Sequence, residues 1–249
     1  MARSMKRMGI RVLLATLLGA LPGASFAGGF SVSPTTLTFA ADQTAEGLRL
    51  HNTGNRPINA QLRVFAWTQA GDDDVLTPSK ALVVSPPMAT LAPGQQQFVR
   101  IIRTDATPVA AERSFRLLID ELPPPAPPAG APVSGLDFVV RFSVPVFVAA
   151  AGDAPGETRW SLHERADGTM QLRGDNPSPR HVQLADLRIL DASGGTLYEQ
   201  PGLVGYVLGG AQRGWLLKSA PSASLRNARE IEARIDGQTR RQPLEPGAP

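Results

Sequence analysis

The stretch GLDFVVRFSVPVFVAA, residues 135–150, constrains this chain more than any other part of its sequence. Every even-numbered position from 136 to 148 is apolar, whereas the odd positions from 137 to 145 read Asp, Val, Arg, Ser and Pro. This period of two predicts a β-strand with one apolar face. A strand over 136–148 would extend ~40 Å, about twice the usual strand length. A strand of that length and apolarity exceeds what its own sheet requires, so we expect it to serve a second surface as well.

The first 27 residues have the pattern of a secretory signal peptide. Four basic residues precede the apolar run 12–21, and small residues precede a predicted cleavage site after Ala27. The apolar run is too short to span a bilayer. We therefore expect an exported, soluble protein without membrane insertion.

Removal of this segment changes the charge of the chain. The formal charge of +3 becomes −1 once the four basic residues are lost, so the basic character of the full sequence is no argument for nucleic-acid binding. The sequence contains no cysteine, which excludes disulfides, thiolate metal sites and thiol catalysis. The stability of the mature protein must come from packed cores.

Short alternating runs separated by turn compositions fill residues 28–149 and are typical of β-strands. About seven such runs predict an immunoglobulin-like sandwich. We interpret the proline-rich segment 123–135 as an exposed loop within this sandwich, because proline lacks the N–H that a sheet needs. A second, less regular β-pattern over 150–249 predicts a second β-domain.

The sequence shows no arrangement of residues that predicts catalysis, a cofactor or a metal. The three histidines lack any metal-binding spacing, and no serine lies in a Gly-x-Ser-x-Gly turn. The acids 72–74 could bind calcium, but three adjacent side chains point in different directions, so we favour a solvated hairpin tip. Asp120 and Glu121 are adjacent in a predicted strand and face opposite sides, which argues against an acid/base pair.

Arg141 lies inside the long strand, on the face opposite the apolar row. An unpaired charge there would be costly if it were buried. It either faces water or binds an anion, most simply a carboxylate, together with a neighbouring arginine. The sequence leaves both interpretations open.

Five segments in order carry a family resemblance. They are SVSPTTLTF, LRLHNTGNRPINAQLRVFAW, SPPMATLAPGQQQFVRIIR, SFRLLIDELPP and VVRFSVPVFV. Together they resemble the amino-terminal domain of the PapD-like periplasmic pilus-assembly chaperones. The Pro-Val-Phe and Asp-Glu-Leu-Pro motifs and the lack of cysteine are most similar to the archaic branch of chaperone-usher systems.

The resemblance implies two immunoglobulin-like domains in a boomerang arrangement, located in the periplasm. In this family the last strand of the first domain is lent to a pilin subunit, which is then delivered to an outer-membrane usher. We therefore expect pilin subunits and an usher as partners. The residues expected to enter the subunit are Leu136, Phe138, Val140, Phe142 and Val144.

The resemblance also implies a basic anchor for the terminal carboxylate of the subunit. Better-known members use an arginine in the first strand and a lysine in the last, but here those places hold Thr36 and Ser143. We expect Arg116 and Arg141 to supply an alternative anchor.

Two other functions are compatible with the residues. One is an exported immunoglobulin-like adhesion or structural pilus component, in which the long strand would be paired internally. The other is a secreted hydrolase or sugar-binding protein, which would need converging polar groups in a concave pocket. Accessibility of the long strand at a sheet edge distinguishes the first of these from a chaperone.

Overall fold

The computed structural model describes residues 29–123, 139–152, 156–218 and 222–245. These residues form two β-domains that contain one short helix, so the all-β prediction is confirmed. The predicted signal peptide and most of the proline-rich segment lie outside the described residues. No helix in the described ranges is long and apolar enough to cross a bilayer.

The first domain is a sandwich of two sheets. Its strands are β1 (Phe30–Ser33), β2 (Leu37–Phe39), β3 (Ala45–Asn52), β4 (Ile58–Ala70), β5 (Asp73–Pro78), β6 (Leu82–Ser85), β7 (Met88–Leu91), β8 (Gln96–Arg103), β9 (Arg113–Leu122) and β10 (Arg141–Val148). One sheet has the strand order β1-β3-β8-β6, and the other has the order β2-β10-β9-β4-β5, with β7 also paired to β4.

Residues 30–39, the first of the alternating runs that predict strands, are divided between the two sheets. Its first part, β1, pairs with β3, and its second part, β2, pairs in parallel with β10. Pro34 stands between them and lacks the N–H that would continue the ladder of β1. The chain therefore crosses to the edge of the second sheet and reaches the long strand.

Alternating side chains of facing strands form the core of the first domain. In β9 the buried members are Phe115, Leu117 and Ile119. In β10 they are Val144 and its even-numbered successors, which extend the same core layer. The predicted apolar face of the long strand is thus partly used inside its own domain.

The second domain is built around Trp160, which is fully buried. Trp160 lies opposite Gly174, where an added Cβ would be only 2.6 Å from the indole ring, so the site requires glycine. The elements are β11 (Arg159–Glu164), β12 (Met170–Asn176), β13 (Val182–Asp191), β14 (Thr196–Val207), β15 (Ala211–Leu216), α1 (Ser222–Leu225), β16 (Ala228–Ile235) and β17 (Gln238–Glu245). The strands pair in the order β14-β13-β16-β17-β11-β12-β15.

Candidate functional site: an open strand edge beside an interdomain cleft

Strand β10 is paired along its whole length on one side and only at its end on the other. Its antiparallel pairing with β9 runs from Arg141 to Val148. Its parallel pairing with β2 covers Val146 to Val148 only. Among the described residues, no strand covers the second edge of β10 ahead of Val146.

The pairing with β9 determines which main-chain groups face this open edge. Glu121 donates its backbone N–H to the carbonyl of Val140 at 2.9 Å, so the main chain of Val140 faces β9. Because the main-chain groups of successive residues in a strand point to alternate sides, the N–H and C=O groups of Arg141 and Ser143 face the opposite, uncovered edge. Pro145 holds the next such position and has no N–H, so it costs the ladder no donor. The open edge therefore offers complete hydrogen-bonding groups at two residues.

The side chains on the apolar face of β10 become more exposed toward the start of the strand, where one edge is uncovered. Val144 is 4% exposed, Phe142 is half-buried and Val140 is 39% exposed. The ring of Phe142 lies 5.4 Å from that of Phe30, in an edge-to-face contact that closes this end of the core. Among the five predicted subunit-binding residues, Val144 is thus already buried within the chain itself. Leu136 and Phe138 lie outside the described residues.

An aromatic cluster joins the two domains at the other end of β10. Trp67 and Phe147 from the first domain contact Tyr206 and Leu208 from the second, and all four are buried. The rings of Trp67 and Tyr206 meet edge-to-face at 5.6 Å. The side-chain amide of Gln69 bridges the domains, donating to the carbonyl of Tyr206 and accepting from the N–H of Leu208, both at 2.9 Å. These contacts form the floor of a cleft between the domains.

Arg116 lies on β9 and packs against the aromatic cluster beside this cleft. Its guanidinium carbon lies 3.6 Å from the centre of the Trp67 ring and 5.5 Å from that of Tyr206. Burial lowers the pKa of Arg116, and the charge of Asp74 opposes that shift; an arginine remains charged at neutral pH. Within the described part of the chain, no carboxylate lies within 4.0 Å of this guanidinium. Arg116 is therefore a half-buried cation whose close partners, among the residues that the structure describes, are aromatic rings.

Arg141 has a different environment. Its Nε donates to Asp120 directly across the strand pair, and Nη2 of Arg63 binds the other oxygen of Asp120 at 2.7 Å. Burial of Asp120 opposes its ionisation, but the hydrogen bonds and charges of the two arginines outweigh this and lower its pKa. The side chain of Arg141 is 62% exposed and that of Asp120 only 11%.

The two predicted anchor residues share one face of the sheet but do not meet. Arg116 pairs across the strands with Pro145, four residues along β10 from Arg141. Four residues of a strand extend ~13 Å. The sequence placed Arg116 on a strand near Arg141, and β9 is indeed its neighbour. A joint anchor for a single carboxylate remains a prediction.

The acids 72–74 lie at a hairpin, as predicted, with Asp72 in the turn and Asp73 and Asp74 at the start of β5, but the hairpin is docked rather than freely solvated. Asp72 accepts a hydrogen bond from Nε2 of Gln171 at 2.7 Å, and its carbonyl accepts one from Arg213. Arg213 also lies 3.8 Å from Asp74.

On the other side of the cleft, Glu112 accepts hydrogen bonds from the backbone and the ring of His181. The cleft is thus braced on both sides by polar contacts between the domains.

Comparison with known proteins assigns the family. Residues 29–152 match the family model described as pili and flagellar-assembly chaperone, PapD N-terminal domain. This chain belongs to the PapD-like pilus-assembly chaperones. The matched range contains the open edge and most of the cleft floor, including Arg116 and Trp67.

Relatives of this chaperone agree with the assignment. The probable fimbrial chaperone YadV of Escherichia coli is 27% identical over 174 residues, which cover 66% of this chain and 68% of that protein. A crystal structure of the CsuC-CsuE chaperone-tip adhesion subunit pre-assembly complex, from the archaic chaperone-usher Csu pili of Acinetobacter baumannii, matches with a TM-score of 0.67 at 22% identity. That match covers 89% of this chain and 100% of the other.

A further match is to the Salmonella enterica SafA pilin in complex with the SafB chaperone. It has a TM-score of 0.58 at 22% identity and covers 89% of this chain and 97% of the other. These likenesses confirm the predicted fold of two immunoglobulin-like domains.

Sequence reasoning missed the aromatic floor of the cleft. Trp67 and Phe147 both fall on alternating strand positions, and Tyr206 comes from the divergent second domain. The one available signal was Phe147, an aromatic residue at an odd position of β10, on the face that the sequence predicts to be polar.

Proposed function

We propose that this protein is a periplasmic chaperone that folds and caps pilin subunits by lending them the open edge of β10. The observation that carries the proposal is the unpaired edge ahead of Val146, next to an apolar face that continues the core of the domain. A subunit strand added there would take the main-chain groups of Arg141 and Ser143. The side chains of Val140, part of Phe142 and the apolar residues before them in the sequence would then enter the core of the subunit.

Pro145 limits the part of β10 that can pair with a subunit strand. A paired subunit strand finds N–H donors at Arg141 and Ser143 but none at Pro145, and β2 occupies the edge from Val146 onward. The edge is therefore divided into a segment for the client and a segment for the chaperone itself. Val144 contributes little new burial to a client because it is already inside the core.

Arg116 is proposed as the main anchor for the terminal carboxylate of the subunit. Its guanidinium is half-buried and lacks a carboxylate partner among the described residues, so an incoming carboxylate would satisfy it. Arg141 already binds Asp120 through Nε, and its Nη groups, which have no hydrogen-bond partner among the described residues, would make a second, more exposed contact. The Csu and Saf complexes support pilin-type partners, and release of the subunit at an outer-membrane usher follows as the next step of the proposal.

The alternative is an exported adhesion or structural pilus component. In that case the long strand would be paired within its own sheet. The uncovered edge of β10 favours the chaperone. No arrangement on the described residues supports a hydrolase.

Co-expression with a pilin subunit tests the proposal. A Val140→Asp substitution places a charge on the lent face and should abolish recovery of the subunit with the tagged chaperone, while the chaperone stays soluble. Val75→Asp is the matched control, because Val75 has the same side chain, is 38% exposed against 39% for Val140, and lies on β5 at the other edge of the same sheet. Equal recovery with both variants would refute the lending of this edge.

A further inference from the structure

The open half of β10 poses a mechanical problem. From Arg141 to Pro145 the strand has one neighbour among the described strands, β9, whereas from Val146 onward it lies between β9 and β2. A strand held on one side frays readily, and a slip of one residue would turn its apolar face outward. Something beyond the ladder is needed to hold this half extended and in register.

Two adjacent acids at the end of β9 meet the start of the open half. Asp120 binds the side chain of Arg141 and is itself held by Arg63 from β4. Glu121 binds Val140 twice: its N–H donates to the carbonyl at 2.9 Å, and its Oε2 accepts the N–H at 3.2 Å. Because neighbouring side chains in a strand face opposite sides, Asp120 binds the side chain of Arg141 while Glu121 binds the main chain of Val140.

Asp120 can act as a fixed point because it is nearly buried. Its side chain is 11% exposed and lies on the central strand, so one carboxylate connects three adjacent strands. Arg63 and Arg141 keep it ionised, as its lowered pKa indicates. Arg63 stays on β4 whatever β10 does, so the carboxylate remains in place to receive Arg141.

We propose that Asp120 and Glu121 form a register clamp, which fixes the start of the open half of β10 and keeps it extended before a client arrives. This proposal rests on the proposed strand lending and assigns a positioning role to two residues that do not themselves enter the client. A strand that is already extended loses less conformational freedom on binding. The clamp therefore affects both the local order of the free chaperone and its affinity for a subunit.

Amide hydrogen exchange of the free chaperone tests the clamp without a client. The backbone N–H groups of Phe142 and Val144 face β9. Asp120→Asn and Glu121→Ala should each raise their exchange rates about 10-fold, as expected for loss of one charged hydrogen bond. Glu121→Gln keeps an acceptor for Val140 and should behave as the wild type. Unchanged exchange at both amides would overturn the clamp.

A merely structural role is recognised by where the exchange changes. The amides of β8 lie in the other sheet and should keep their wild-type rates in both variants. If β8 exchanges faster by the same factor, the acids stabilise the whole domain and the clamp is wrong. Arg63→Ala leaves Arg141 on Asp120 and should change the two β10 amides less than Arg141→Ala does; the reverse order would also overturn it.

Subunit capture completes the test. The same two variants should bind a pilin subunit about 10-fold more weakly, in proportion to the lost local order. Faster exchange with unchanged affinity would overturn the positioning role. Failure of the strand lending itself has a different signature, since Val140→Asp would then leave capture intact whatever the clamp variants do.

Discussion

Replacing Arg116 with alanine is expected to weaken the binding of a pilin subunit by about 2 to 5 kcal/mol, or about 30- to 4000-fold in affinity. The estimate applies to a carboxylate and a guanidinium that are both withdrawn from water. Arg116 meets that condition, since it is half-buried against Trp67 and Tyr206. Arg141→Ala should weaken binding less, by up to about 5-fold, because that side chain is 62% exposed and an exposed pair contributes ~0–1 kcal/mol.

The same substitution also removes contacts inside the chaperone. Stacking of Arg116 on Trp67 stabilises the cleft by about 0.5–2 kcal/mol, so thermal unfolding must be measured beside binding. Arg113→Ala is the matched control. Arg113 lies on the same strand with its guanidinium 5.4 Å from the Phe115 ring, and its removal also deletes a cation-π contact.

The assay is calorimetric titration with a peptide of the subunit's last strand, carrying either a free or an amidated carboxyl terminus. Amidation should weaken binding of the peptide to the wild type and to Arg113→Ala by the whole contribution of the carboxylate, about 2 to 5 kcal/mol. It should have no further effect on Arg116→Ala, because the partner of the carboxylate is already absent. If Arg116→Ala responds to amidation as strongly as the wild type does, the assignment of the anchor is refuted. The same conclusion follows if Arg141→Ala alone abolishes the response.

Three further outcomes are expected. Ser143→Pro removes an edge N–H that has no strand partner in the described structure. The free energy of unfolding of the free chaperone should therefore stay within about 0.5 kcal/mol of the wild-type value, since Pro145 is already accommodated on this edge, whereas the affinity for a subunit should fall about 10-fold. Asp120 has a lowered pKa, so the stability it contributes is complete above its ordinary pKa of about 4 and is lost as the pH falls through its folded-state pKa. The free energies of unfolding of wild type and Asp120→Asn, measured in urea, should therefore converge as the pH is lowered below about 4. Gly214→Ala would place a Cβ against the side-chain ends of Asp72 and Gln171 and should lower the free energy of unfolding by about 1 kcal/mol, because these side chains must move apart and lose their hydrogen bond. An unchanged melting temperature would contradict that contact.

Strand positions were predictable where one face is buried. The runs that became β3, β8 and β9 alternate clearly, because one side of each faces the sandwich core. β5 was missed because all six of its side chains are exposed, which leaves no period to read. The division of the first strand was missed although the apolar positions change from even, Phe30 and Val32, to odd, Leu37 and Phe39, across Pro34.

The candidate site was only partly predictable for a related reason. Period two shows that the long strand has an apolar face, but it does not show that β2 covers the strand from Val146 onward. Which half is open depends on a contact more than a hundred residues away in the sequence. The register that separates Arg116 from Arg141 is also a tertiary property, set by the pairing of β9 with β10.

The cleft shows the same limit at the level of side chains. Arg116 could be identified as a candidate cation, yet its burial depends on Tyr206 from the second domain. Asp120 was considered only as one of two adjacent acids. Its importance comes from Arg63 and Arg141, which the sheet brings to it from either side.

The central claim is that a subunit strand pairs with the open edge of β10, and amide exchange of Arg141 and Ser143 tests it most directly. In the free chaperone these two N–H groups face an edge that no described strand covers, so they should exchange rapidly. In a purified complex with a pilin subunit both should become protected by about 100-fold or more, while the amides of Phe142 and Val144, already bonded to β9, change less. A stable complex in which Arg141 and Ser143 still exchange at their free rates would contradict the account.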